Sequence, residues 1–288
     1  MRPFKKRAGA LRYLPLAAVL AGLCWVGNFT IGVHALCVSS PALPAGFHGF
    51  RIALVTDLHG RVFGKEHARL LSAVERAKPD LIALVGDIAD EYTDLQTLSP
   101  LFARLAAIAP CVYVTGNHEW RMKNRAEFFE ILKQAGITRL QNSYLRLTRG
   151  GETILLAGID DRNGPADQKT PEALIKELRA AEGARYTILL CHRNDQLARF
   201  SALGLDLVLS GHAHGGVVRL PFVGAVFGTH YELFPDFTAG LSQQGRTVLA
   251  VSRGLGGSRR LPVRIGNQPE IPVVILCREQ GGRQQIQK

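Results

Sequence analysis

Cysteine is scarce in this chain. Five of 288 residues are Cys, at 24, 37, 111, 191 and 277, and no two are spaced as CxxC. That excludes a thiolate zinc knuckle and a dense disulfide framework. The expected role of all five is that of small buried hydrophobes. Acid is absent from the first 38 residues, where Arg2, Lys5, Lys6, Arg7 and Arg12 contribute +5 of the formal +11. Charge of either sign is absent from Tyr13 to Leu36. There is no internal repeat, no low-complexity tract and no second linker. A basic stripe interleaved with aromatics is also missing, so no nucleic-acid partner is expected. The moderate basic excess beyond the N-terminus suits anionic substrates or lipid headgroups.

What is present divides into an N-terminal segment and a long globular remainder. The uncharged run "YLPLAAVLAGLCWVGNFTIGVHAL" has about the length needed to cross a bilayer, and the basic cluster precedes it. It is expected to be an uncleaved transmembrane helix, with residues 1–38 forming the basic N-terminus and anchor and 39–49 a linker. The expected location is the inner (cytoplasmic) membrane, held by a single pass, and positive-inside counting favours export of the domain. Residues 50–288 then form one catalytic domain, expected to be a monomer. Short β-rich runs recur there: Ile52–Val55, Leu81–Val85, Val112–Val114, Ile154–Ala157, Thr187–Leu190 and Leu207–Leu209. Helical patterns fall between several of them, at Lys65–Lys78, Asn124–Ala135 and Pro171–Ala181. Alternation of this kind implies an α/β layered fold. Beyond Gly215 helical periodicity disappears and short strands follow, at Thr247–Val251 and Val273–Leu276. A second sheet packed on the first is therefore expected.

The ends of the apolar runs carry the chemistry. "IALVTDLH" ends in Asp57 and His59, "LIALVGD" in Asp87, and "VYVTGNHE" in Asn117 and His118. "TILLCH" ends in His192 and "LVLSGHAH" in His212 and His214. Five of the nine histidines stand at these ends. In open α/β sheets the ligand crevice lies beyond the carboxyl ends of the strands, so these side chains should converge. Oxygen and imidazole donors without cysteine suit Mn, Fe or Zn, and seven ligands are too many for one tetrahedral ion. They fit two divalent ions if a carboxylate bridges, an arrangement that activates a water and clamps phosphoryl oxygens. Gly86, Gly116 and Gly211 beside the ligands allow sharp turns and close approach. Taken singly, Asp57 or Asp87 could be a helix cap, Asn117 a turn residue and His192 a satisfied core histidine. Coincidence at five successive strand ends is what favours a site.

In order and spacing, "DLH", "GD", "GNHE", "CH" and "GHAHGG" resemble the calcineurin-like metallophosphoesterase superfamily over about Phe50 to Leu276. The resemblance implies a two-sheet β-sandwich flanked by helices. It implies one metal held by Asp57, His59, Asp87 and His214, and a second held by Asp87, Asn117, His192 and His212. His118 would bind no metal but stabilise the transition state or protonate the leaving oxygen. The finer resemblance is to a membrane-anchored bacterial branch that carries a stretch like "VSRGLGGSRRLPVRIGNQPEI". Some of its members cleave the pyrophosphate of UDP-diacylglucosamine in lipid A synthesis. A phosphate-ester or pyrophosphate substrate is expected, lipid-linked if that branch is the guide. Arg253, Arg260 and Arg264, with Arg259, are candidates to grip a second phosphate or nucleotide. Asn194 stands where similar proteins often have proline, and His230 lies near the expected mouth. The rival readings are a phosphomonoesterase, a nuclease, and an inactive membrane-tethered binding module.

Overall fold

The structure is a computed structural model that describes residues 13–229, 231–257 and 263–279. Its first sheet contains β1 (Gly32–Ser40), β2 (Arg51–Val55), β3 (Leu81–Val85), β4 (Cys111–Val114), β5 (Thr138–Arg139) and, from the far end of the chain, β14 (Glu270–Arg278), in the order β1-β14-β2-β3-β4-β5. The second contains β6 (Ser143–Arg149), β7 (Glu152–Gly158), β8 (Thr187–Leu190), β9 (Leu207–Ser210), β12 (Gly240–Gln244) and β13 (Thr247–Val251), in the order β12-β13-β9-β8-β7-β6. A hairpin of β10 (Val218–Leu220) and β11 (Gly224–Phe227) stands apart. This is the expected mixed α/β fold of two sheets flanked by helices.

Side-chain alternation assembles the layers. On β2, Ile52 and Leu54 face the second sheet, while Ala53 and Val55 face helices. On β9, Leu207 and Leu209 face the first sheet and Val208 faces outward to its own helical layer. Strands buried on both faces need to be apolar throughout, which is why these runs read as continuous hydrophobic stretches rather than alternating ones. Helices α2 (Ala68–Ala77), α3 (Leu98–Ile108) and α4 (Arg125–Gln134) cover the first sheet; α5 (Pro171–Glu182) and α6 (Leu197–Ala202) cover the second. Thr170 caps α5 by accepting from the Ala173 amide at 3.2 Å, and Pro171 occupies the first helical turn. The strands β2, β3 and β4 run parallel, as do β7, β8 and β9. Their carboxyl ends therefore emerge on one side in each sheet.

The N-terminal expectation is corrected. The apolar helix α1 (Leu14–Phe29) has 16 residues. At a rise of ~1.5 Å per residue it reaches ~24 Å, short of a ~30 Å hydrocarbon core. Among the described residues no helix is long and apolar enough to cross a membrane. Beyond Phe29 the uncharged run is no longer helical. Gly32–Ser40 pairs in parallel with Glu270–Arg278 along its whole length. The anchor, and the inner-membrane location drawn from it, are overturned. The stretch 39–49 is likewise built into the fold, since Phe47 is fully buried between the sheets and the Gly49 amide donates to Leu276 O at 2.8 Å. The basic cluster at 2–12 lies outside the described residues.

Three cysteines also depart from expectation, and Cys24 does so by being only half-buried. Cys111 and Cys191 are buried as expected, but Cys37 and Cys277 form a disulfide between β1 and β14. It joins positions 240 residues apart and ties the first strand to the last. A cross-link closing so long a loop restricts the unfolded chain strongly, worth about 2–4 kcal/mol. Accordingly, the Cys37→Ser/Cys277→Ser double variant should unfold at lower urea concentration than the oxidised protein. Equal midpoints for the two, with and without reductant, would show that the bond carries no stability.

Candidate metal centre

The strand ends after β2, β3 and β9 turn sharply into the site. Asp57, His59, Asp87, His212 and His214 all have positive φ, between 48° and 67°. Side-chain-bearing residues avoid this region, at a cost of order 1–3 kcal/mol each, and such strain persists only where surroundings enforce it. Backbone bonds between neighbouring turns do so: the Asp57 amide donates to Gly86 O at 3.1 Å and the His59 amide to Asp87 O at 3.0 Å. Close approach does the rest. A side chain at Gly86 would bring its Cβ within 2.6 Å of the Gly116 amide nitrogen and of His192 Nδ1.

Six of the seven sequence-predicted ligand candidates, Asp57, His59, Asp87, His192, His212 and His214, come together here. Three overlapping sets of possible ligand atoms lie within 4.8 Å of one another: Asp57, His59 and His214; His59, Asp87 and His118; Asp87, His192 and His212. Asp87 belongs to two of them. Its Oδ2 is 3.8 Å from His59 Nε2 and 3.2 Å from His192 Nε2. Asp57 Oδ1 is 3.5 Å from His214 Nε2, and His212 Nδ1 is 3.3 Å from His192 Nε2. Asn117 lies in the chain between Gly116 and His118, both of which stand against Asp87; it is buried, and its Oδ1 has no hydrogen-bond partner. His59 Nε2 is likewise buried and unpartnered. Orphaned oxygen and imidazole acceptors at the bottom of a polar pocket are what a divalent cation would satisfy, so the residues present fit such ions.

The electrostatics agree. Burial holds the imidazoles neutral, the form that binds metal: His59 is pulled down to about 4, His214 to about 3 with help from Arg264, and His212 to about 2 with help from His192. His192 is the exception. Burial opposes its charge, but Asp87 and then Asp57 attract it, and it rises to about 10. Burial works against ionisation of Asp87 too, yet His192 holds it well below the ordinary carboxylate range. Asp57 is raised, chiefly by burial. His192 Nδ1 lies 2.9 Å from Val85 O. A carbonyl can only accept, so Nδ1 carries a proton and Nε2 points at Asp87.

Two residues escaped the sequence reading as site residues. Glu119, fully buried, accepts from the amides of Asp87 (3.0 Å), Ile88 (2.7 Å) and Gly116 (2.8 Å), so it clamps the turns after β3 and β4 together. Burial, then the charge of Asp87, pushes it up to about 7. The available signal was its place as the last letter of "GNHE". Glu91 Oε2 lies 2.9 Å from His118 Nδ1 and orients that ring, whose side chain remains 29% exposed. Nothing in the local sequence marks it.

Two of the arginines expected to grip substrate are engaged within the protein. Arg253 is paired with Glu270, and Arg264, only 2% exposed, donates to Arg253 O at 2.8 Å and to Gly256 O. Both are committed to holding the 252–257 turn beneath His214 rather than presented to a substrate. Arg259, Arg260 and His230 lie outside the described residues. Asn194 is buried and donates to Phe237 O at 2.7 Å, fastening a loop at the rim.

Residues 50–216 match the family described as Calcineurin-like phosphoesterase. The chain belongs to that family. It is similar to the Bacillus subtilis protein named "Uncharacterized metallophosphoesterase YkuE", at 33% identity over 247 residues covering 83% of each chain. It is 29% identical over 238 residues to "Phosphodiesterase YaeI" of Escherichia coli, covering 79% of this chain and 82% of that one. It is 30% identical over 253 residues to the Bos taurus "Transmembrane protein with metallophosphoesterase domain", covering 81% of this chain and 54% of that one. As a calcineurin-like phosphoesterase with these candidate ligands, the protein is a metal-dependent phosphohydrolase of a dimetal family.

The clamp yields a test. Glu119→Ala leaves buried amides at Asp87, Ile88 and Gly116 without an acceptor, which should cost at least about 3 kcal/mol in denaturant unfolding. Glu119→Gln, which keeps one acceptor oxygen, should lose less. Equal stability of Glu119→Ala and the parent chain would remove Glu119 from this role.

Proposed function

We propose that the protein hydrolyses phosphodiesters at a two-metal centre in which Asp87 is shared between the ions. The observation that carries this reading is the placement of one Asp87 oxygen between His59 and His192, each within 4 Å. Asp57, His59, Asp87 and His214 would hold one ion, and Asp87, Asn117, His192 and His212 the other. When bound, the ions supply Lewis acidity, which lowers the pKa of a water and neutralises charge on the phosphoryl oxygens. The chain's own groups do the rest. His118, held through Nδ1 by Glu91, turns Nε2 to the departing ester oxygen and, as the imidazolium, would give it the Nε2 proton. Its exposure suits contact with substrate, whereas the ligand candidates lie deeper. The His118 amide donates to Asp87 Oδ1 at 2.8 Å, fixing the spacing between proton donor and bridge. No cysteine or serine at the site is needed as a nucleophile.

Preference for a diester over a monoester is supported by the likeness to a relative named as a phosphodiesterase. The lipid-linked nucleotide suggested by the finer resemblance keeps only the support of the 251–271 stretch, because the bilayer-spanning anchor that would have placed the enzyme beside such a substrate is absent from the described residues.

Turnover of bis(p-nitrophenyl) phosphate against p-nitrophenyl phosphate tests the substrate class, and the diester should be the better substrate. Asp87→Asn should abolish diester turnover and reduce bound metal; a purified variant with normal activity would refute the bridge. His118→Ala should retain both metals and lose about 100-fold or more in turnover. Loss of metal in that variant would instead make His118 a ligand, the alternative raised by its proximity to His59 and Asp87. A pH test follows from His192. Its pKa in the metal-free fold is raised to about 10, so it is protonated at pH 8, while the ligand form is not. Metal uptake at pH 8 should therefore release about one proton, and affinity should climb with pH up to that value. Calorimetric titration in buffers of different ionisation enthalpy measures this, and zero release would contradict the assignment.

A further inference from the structure

Immediately beside His212 a cleft of about 530 Å³ opens between the turn after β8 and the 232–238 stretch. Its lining combines the guanidinium groups of Arg162 and Arg193 with the carboxylates of Asp195, Glu232 and Asp236 and the apolar side chains of Leu233 and Phe234. Arg162 stands 3.9 Å from Asp195, and Arg193 is the cation next to His212. None of these residues was singled out by sequence. Arg193 is the unusual member. Its side chain is 12% exposed and is locked by a forked contact with Asp161, Nε to Oδ2 at 2.7 Å and Nη2 to Oδ1 at 3.2 Å. Asp161 is itself fixed, accepting from the Asn163 amide at 2.9 Å while its own amide donates to Thr115 Oγ1 at 3.0 Å. A guanidinium held this way loses little freedom on binding an anion.

The fork leaves Nη1, which lies 3.3 Å from His212 Nε2. That ring turns its other nitrogen, Nδ1, toward His192. If Nδ1 serves the centre, the neutral imidazole carries its proton on Nε2, and Nε2 cannot accept from Arg193. Nη1 then points at the edge of the centre with a donor to spare. Across the cleft, Leu233 and Phe234 are 69% and 62% exposed, large apolar surfaces facing water at the rim. Asn194 and Arg219 tie the far end of their loop in place, through Phe237 O and Thr238 Oγ1. The cleft thus has a fixed cation at its inner end and an apolar wall further out, and is continuous with the centre through His212.

We infer that this cleft is the subsite for one ester group of the substrate: Arg193 Nη1 donates to a non-bridging phosphoryl oxygen, and Leu233 and Phe234 pack against an apolar ester substituent. The substrate class is then a phosphodiester with at least one apolar or aromatic ester group. This rests on the two-metal phosphodiesterase reading and deepens it. Arg193 is assigned to substrate binding, and metal retention is its independent readout.

The test uses the full chain with bound metal, and two diesters, bis(p-nitrophenyl) phosphate and methyl p-nitrophenyl phosphate. The wild type should prefer the bis-aryl ester. Arg193→Ala should keep the metal content of the wild type and lose about 10- to 100-fold in kcat/KM, the worth of a charge-assisted hydrogen bond. Arg193→Lys, which keeps charge but not the fork, should recover only part of that. Phe234→Ala should lower the bis-aryl over methyl preference up to about 10-fold. Metal loss in Arg193→Ala would overturn the inference by making Arg193 a support for His212. So would kcat/KM and preference within twofold of wild type in both variants. Absence of diester turnover in metal-loaded wild type would instead defeat the underlying function, so the two failures are distinct.

Discussion

Two carboxylates, Asp57 and Asp87, are buried almost completely in the same pocket, with exposures of 0% and 1%. Taking charges of one sign out of water side by side is costly unless opposite charge joins them. In the chain alone the nearest compensation is the His192 imidazolium, raised by its two acidic neighbours against the pull of burial. Compensation by one ring proton leaves His59 Nε2 and Asn117 Oδ1 with nothing to bind. Divalent cations answer both deficits at once, and the metal dependence of the family follows from that physical demand.

The fold is organised to sustain this. Side chains at the ends of β2, β3, β4, β8 and β9 meet because parallel strands deliver their carboxyl ends to one edge, and because the two sheets stack with those edges together. Left-handed turns at five of the site residues cost energy, and the bonds that hold them run between turns rather than within them. Glu119 is the hub, satisfying amides from two turns with one carboxylate. The 252–257 segment closes the floor: its Gly256 amide donates to Asp57 O at 2.5 Å, and Arg264 and Glu270 hold it from below. Arg253 and Arg264 support this floor through the Glu270 carboxylate and the carbonyls of Arg253 and Gly256.

Legibility in the sequence followed locality. Strands such as Leu81–Val85 and Leu207–Ser210 are short apolar runs bounded by Gly or Asp, and they were placed to within a residue. The metal-site side chains were legible because each sits directly after such a run. Helix α3 is not among the helical patterns the sequence shows; Pro100 stands in its first turn, where the missing amide costs nothing. β1 was read as membrane helix because an apolar parallel strand carries no mark of its own; its partner β14 lies more than 230 residues away. The Cys37–Cys277 bond was invisible for the same reason. Arg193 and Glu91 matter through neighbours distant in sequence, Asp161 and His118, and their own surroundings in the chain are ordinary.

The account stands or falls on two ions sharing Asp87. Diffraction from crystals of the metal-loaded protein, recorded at the absorption edge of the bound metal, tests it most directly. Two anomalous peaks about 3.5–4 Å apart, one on either side of the Asp87 carboxylate, are predicted. A single peak, or peaks remote from Asp87, would contradict it.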